Sequence, residues 1–157
     1  MKPRRGLLLL GANLGDRARA LRRAIDGLGR LEGVRVTKRS RIYETAPVGP
    51  SDKPYLNQAV EIWTDRTAVG LLLEAKRLEA LAGRRPGIRW CARVLDVDLV
   101  ALGAERVRTT WLSVPHPAMA GRAFAAAPLA DVAPSWRSRL AAMKPDPRIV
   151  KLWRHGR

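Results

Sequence analysis

Apolar and polar positions alternate along this chain in two distinct rhythms. Leu7 to Gly11 is a short unbroken apolar run, the pattern of a buried strand, and the Asp and Gly of Ala12-Asn13-Leu14-Gly15-Asp16 are turn and N-cap residues. From Arg17 to Leu31 the apolar positions Ala20, Leu21, Ala24, Ile25, Leu28 and Leu31 recur at helical spacing, with arginine on the opposite face and Gly33 as the stop. Val34 to Glu44 alternates as a strand, and Leu56 to Thr64 carries a second one with Val60 and Ile62 on one face. The segment between them, Ala46 to Pro54, is rich in Pro and Gly and too long for a tight hairpin turn, which suits a ligand wall. Ala68 to Leu81 returns to helical spacing through Leu71, Leu72, Ala75, Leu78 and Leu81, closed by Gly83. A basic loop, Arg84 to Arg89, leads to a strand over Val94 to Leu102. Beyond it the pattern predicts a short strand at Val107 to Thr110, a helix across Arg122 to Ala130 and another near Ser135 to Ala142.

The order strand, helix, strand, strand, helix, strand predicts an α+β fold, a ferredoxin-like βαββαβ antiparallel sheet with helices over one face and a C-terminal helical extension. At 157 residues with 46% apolar composition, the chain is the size of a single domain, 1–157, with a core large enough to fold unaided. No stretch approaches the roughly 20 apolar residues that cross a bilayer, and four leucines are too short a core for a secretory signal. Cys91, the only cysteine, excludes an internal disulfide and a thiolate zinc site, so the expectation is a soluble cytoplasmic protein, by default a monomer.

Lys and Arg number 30 against 14 Asp and Glu, a net charge of +16 that attracts polyanions at long range. The excess is spread along the chain and is mostly Arg, 24 against 6 Lys, so it reads as a solvated basic surface around an enzyme that binds phosphates. A nucleic-acid partner is not expected. RNA-binding modules of the same element order stack bases on aromatics of their central strands, and this chain has one Phe and two Tyr.

The most informative segment is Arg93-Val94-Leu95-Asp96-Val97-Asp98-Leu99, which sets two carboxylates at i and i+2 inside an apolar strand. Alternation puts both on one face, with backbones about 6 to 7 Å apart. That span can flank two Mg²⁺ ions about 3.5 to 4 Å from each other, and oxygen ligands suit Mg²⁺. Arg84, Arg85 and Arg89 in the loop, and Arg93 ahead of the carboxylates, stand where guanidinium forks could hold phosphate oxygens. Arg84 and Arg93 are the stronger candidates.

The blocks Gly11-Ala12-Asn13-Leu14-Gly15-Asp16, Tyr43-Glu44-Thr45-Ala46-Pro47-Val48-Gly49-Pro50, Tyr55-Leu56-Asn57, Arg89-Trp90 with Arg93 to Asp98, Val114-Pro115-His116-Pro117 and Arg122-Ala123-Phe124 occur in order. Together they resemble the hydroxymethyldihydropterin pyrophosphokinase family over about residues 7 to 134. The resemblance implies transfer of a diphosphate from ATP to the hydroxymethyl group of 6-hydroxymethyl-7,8-dihydropterin, giving AMP, in tetrahydrofolate biosynthesis. It implies that Asp96 and Asp98 hold two Mg²⁺ ions, that Arg84 and Arg93 neutralise charge, and that Asp98 is a candidate to take the alcohol proton. The pterin would lie between Tyr55 and Phe124, with Asn57, Thr45, Ala46 and Val48 reading its edge and Trp90 beside it. ATP would meet Lys76, Glu79, Arg84, Arg89, Trp90, Arg93, Leu99, Ser113, His116 and Arg122. The chain departs from the family pattern at Cys91-Ala92, where Gly-Pro is usual, at Pro86, at Trp111, and in a basic loop about one residue short. The alternatives are a slow or inactive paralogue that binds pterin or nucleotide, and a basic ferredoxin-like RNA-binding domain.

Overall fold

The computed structural model describes residues 1–47, 52–84, 93–144 and 150–154. Five main strands, β1 (Arg4–Ala12), β2 (Val34–Arg39), β3 (Tyr43–Thr45), β4 (Tyr55–Thr64) and β5 (Asp96–Leu102), alternate with α1 (Arg17–Gly29) and α2 (Ala68–Leu81). A small hairpin, β6 (Val107–Arg108) and β7 (Ser113–Val114), precedes α3 (Ala123–Val132) and α4 (Arg137–Met143), and β8 (Val150–Leu152) follows. Both long helices begin on side-chain caps, where Asp16 accepts the Arg19 N–H and Thr67 accepts the Gly70 N–H, each at 3.0 Å.

The sheet is antiparallel and runs β5-β1-β4-β3-β8, with β2 sharing the β4 edge with β3. The strand expected over Val34 to Glu44 is therefore two strands. Ser40 causes the break. Its hydroxyl accepts the Ala59 N–H at 2.8 Å, replacing a ladder bond, and its carbonyl accepts from the Gln58 side chain at 2.8 Å.

Four consecutive buried leucines in β1 explain the layers, because successive side chains point to opposite faces. Leu8 and Leu10 join Leu21, Ile25 and Leu28 of α1 and Leu71 and Leu78 of α2 in the larger core. Leu7 and Leu9 join Met119 and Ala125, Leu129 and Val132 of α3 on the other face. Helices thus cover both faces of the sheet rather than one, and the α3 of the C-terminal extension forms the second layer. The two long helices approach closely at Gly27, where a Cβ would lie 2.7 Å from the Leu78 side chain.

A register shift between Leu7 and Leu8 bulges β5 opposite them. Asp96, Asp98 and Val100 share the α3 face by alternation, and the bulge keeps Ala101 on that side so that Leu102 joins Val97 and Leu99 in the larger core. No helix among the described residues is long and apolar enough to cross a membrane.

Candidate active site

Strand β5 presents Asp96 opposite Gly11 and Asp98 opposite Leu9 of β1, both on the face that α3 covers. Asp96 accepts hydrogen bonds from the Arg93 guanidinium at 3.0 and 3.1 Å and from Arg84 at 3.0 Å. The same Arg84 nitrogen contacts Glu79, whose side chain is 2% exposed. Glu79 also takes the Val97 N–H at 2.9 Å and pairs with Lys76 at 3.2 Å. It therefore caps the free edge of β5 from α2 and anchors Arg84 beside the carboxylates.

Asp98 differs from its neighbour. Burial first, and the Asp96 charge second, push its carboxyl up to about 7, against the pull of Lys76 and Arg122. Asp96 is bonded to Arg84 and Arg93, and the raised Asp98 carboxyl beside it is the one whose charged form a bound cation would stabilise. A divalent cation that prefers oxygen fits this donor set. Among the described residues no group of three or more His, Cys, Asp and Glu side chains is placed to hold a metal, so further ligands would come from substrate and water.

A cleft of about 470 Å³ opens on this face, lined by Leu9, Gly11, Thr45, Ala46, Tyr55, Asn57, Arg93, Asp96, Asp98, His116, Met119, Arg122 and Phe124. The buried Asn57 amide donates to the Thr45 hydroxyl at 2.8 Å. Gly11 makes room for it, since a Cβ there would stand 3.0 Å from the Asn57 oxygen. Arg122 lies over the Phe124 ring, 5.6 Å from its centroid. His116 accepts the Ala118 N–H on Nδ1 at 3.3 Å. Burial and the Arg122 charge lower its pKa, so the ring is neutral with its proton on Nε2, a hydrogen-bond donor.

Asn13, buried at the end of β1, joins the parts. Its backbone N–H donates to the Arg93 carbonyl at 3.0 Å, its side-chain oxygen accepts the Arg93 N–H at 2.6 Å, and its amide nitrogen donates to the Lys53 carbonyl at 3.4 Å. One residue thus holds the approach to the carboxylates and the approach to Tyr55.

Residues 7–134 match the family described as 7,8-dihydro-6-hydroxymethylpterin-pyrophosphokinase (HPPK). The chain belongs to this family. A Bacillus subtilis 2-amino-4-hydroxy-6-hydroxymethyldihydropteridine pyrophosphokinase is 38% identical over 148 residues, covering 94% of this chain and 89% of the relative. The Methylorubrum extorquens protein of the same name is 41% identical over 131 residues, 83% of each chain. Among solved structures, an HPPK-DHPS in complex with substrates superposes with a TM-score of 0.73 at 11% identity, over 90% of this chain and 43% of that one. A Plasmodium falciparum HPPK-DHPS with pteroate gives 0.69 at 14% identity, over 90% and 42%. At those identities the superpositions speak for the fold alone, and this chain spans less than half the length of either.

Within this HPPK-family fold the cleft gathers ten of the residues singled out in the sequence: Thr45, Ala46, Tyr55, Asn57, Arg93, Asp96, Asp98, His116, Arg122 and Phe124. Arg84 stands behind Asp96, and Lys76 lies on α2 beside Glu79. Three other expected ATP contacts do not line the cleft. The Leu99 side chain is in the larger core, because alternation turns it away from the carboxylates, and the Glu79 carboxylate is buried among protein donors. Ser113 lies in the β6–β7 hairpin. Val48, Arg85, Pro86, Arg89, Trp90, Cys91 and Ala92 lie outside the described residues.

Leu9, Gly11 and Met119 line the cleft without having been singled out for it. For Leu9 and Gly11 the signal was present, since the apolar run from Leu7 to Gly11 must show one set of side chains to each face. Met119 carries no local signal. A second cavity of about 510 Å³, bordered by Arg39, Arg41, Tyr43, Asp131 and Arg137, is somewhat larger. Its acid is already engaged by Arg41 and Tyr43, and it lacks a carboxylate pair.

Proposed function

We propose that this protein transfers the diphosphate of ATP to the hydroxymethyl oxygen of 6-hydroxymethyl-7,8-dihydropterin, releasing AMP, as a step of tetrahydrofolate biosynthesis. The observation that carries this reading is one cleft, in a chain of this family, that joins a carboxylate pair to an aromatic and amide wall. Tyr55 and Phe124 would receive the faces of the flat heterocycle. The Asn57 amide and the backbone at Thr45 and Ala46 would read its polar edge. With Asn57 already turned by its bond to Thr45, the wall is set before the ligand arrives.

Asp96 and Asp98 would hold the Mg²⁺, two ions in this reading, which neutralises charge on the phosphates of ATP. Arg84 and Arg93 would donate to phosphate oxygens, with Arg122 and neutral His116 as further donors. Lys76 and Ser113 would meet ATP from outside the cleft lining, and Val48, Arg89 and Trp90 retain the roles that the resemblance implies. Diphosphate transfer needs mainly alignment and charge neutralisation, which a fixed set of donors supplies without reorganisation.

The strand order β5-β1-β4-β2, with α1 and α2 on one face, supports reading the sheet core as ferredoxin-like. We read the chain as one domain, a monomer of the cytoplasm with small-molecule substrates and no nucleic-acid partner.

Pterin-dependent release of AMP from ATP with Mg²⁺ tests the function. The wild type should form AMP, and Asp96→Ala and Asp98→Ala should each lose it. A folded wild type that forms none refutes the assignment.

A further inference from the structure

Arg17 does not line the cleft, yet it joins the two chain segments that form one of its walls. One guanidinium nitrogen lies 3.1 Å from Glu44, and the other donates to the Pro54 carbonyl at 2.9 Å. Glu44 pairs across the sheet with Leu56, and its neighbour Thr45 pairs with Tyr55, the residue after Pro54. The arginine therefore fastens the β3–β4 ladder at the end where Thr45, Ala46 and Tyr55 meet the cleft.

The local helix does not account for a cation here. Arg17 is the first residue of α1, where the helix dipole favours negative charge. The Asp16 cap, which accepts the Arg19 N–H, fixes the first turn of α1 from which the side chain leaves. It is 25% exposed and Glu44 is 20% exposed, which limits screening by water. Glu44 is steadied from the other side by Lys151 of β8 at 3.5 Å, and Val150 pairs with Thr45.

We propose that Arg17 is a positioning residue for the pterin, fixing the spacing between Thr45 and Tyr55 through Glu44 and the Pro54 carbonyl while touching no substrate. The inference rests on the assignment of this wall to the pterin. Its signature is a loss confined to one substrate. Arg17→Ala should raise the pterin Kd, followed by pterin fluorescence, about threefold to tenfold, by loss of preorganisation. The ATP Kd and the melting temperature should stay near wild-type values. Arg17→Lys, which lacks the fork that spans both partners, should fall between. Glu44→Ala should resemble Arg17→Ala, and the double variant should be no worse than either, because both remove one clamp.

If Arg17→Ala binds pterin as tightly as the wild type, or weakens ATP and pterin alike, the positioning role is refuted. A wild type that binds ATP and no pterin overturns the wall assignment and this role together. A wild type that binds pterin beside indifferent variants overturns only the role.

Discussion

Asp98 shows how much a single residue carries. Its carboxyl keeps a proton up to about pH 7 in the metal-free fold, whereas an unfolded chain releases it near the ordinary carboxylate value of about 3.9. Between those values the folded state binds more protons, so this group's contribution to stability falls as pH rises through that window and stays unfavourable above it. Asp98→Asn should therefore raise the melting temperature of the metal-free protein at pH 8 by a few degrees, with less gain near pH 4. Mg²⁺ should raise the melting temperature of the wild type and leave the variant unmoved, which calorimetry would read directly. The two carboxylates were legible in the sequence because a period of two places them on one face whatever the fold around them. The role of Asn13 is not legible in the sequence, since hydrogen bonds that hold it reach residues 40 and 80 positions away. No local pattern encodes such partners.

The same logic separates elements that could be read from those that could not. The helix over Ala68 to Leu81 falls where its periodicity predicts, and α1 ends two residues early at Gly29. β8 is not legible in the sequence because three residues give no usable period, and its stability comes from the β3 edge that it covers. Two contacts between elements invite tests. Glu79 ties α2 to β5 through the Val97 N–H and Arg84. Glu79→Ala leaves the Val97 N–H without its acceptor and Arg84 with Asp96 alone, and should cost about 2 to 4 kcal/mol in denaturant unfolding, with Glu79→Gln less damaging because it retains an oxygen for Val97. Asp131 of α3 holds the segment before β3 through a two-pronged pair with Arg41, at 2.8 and 3.0 Å, and through the Tyr43 hydroxyl. Burial pushes this carboxyl up, but the hydrogen bonds from Arg41 outweigh it, so the net shift is downward. A depressed folded value gives stability that is present above the unfolded pKa and lost as pH falls through the folded one. Asp131→Asn should melt below the wild type at pH 7, and the gap should close toward pH 3.

Across the whole molecule, the net charge of +16 governs what the protein attracts from a distance. Its field should gather Mg·ATP, so raising KCl from about 50 to about 300 mM should lower kcat/KM for ATP several-fold while kcat holds, as the Debye length shrinks. Tight, salt-resistant binding of a single-stranded RNA would instead point to a use for the charge beyond this reaction. The expectation of helices on one face missed the second layer because the alanine-rich α3 carries little amphipathic signal. That second layer divides labour in the molecule. The larger core, between the sheet and α1 and α2, lies on the face away from the cleft, whereas Met119 and Phe124 belong to the thinner side. Selection can therefore act on the two sides almost independently. Variants bred to accept a different heterocycle should accumulate changes around α3 and the turn before it, leaving the leucines beneath α1 and α2 as a reserve of stability on which such changes can draw.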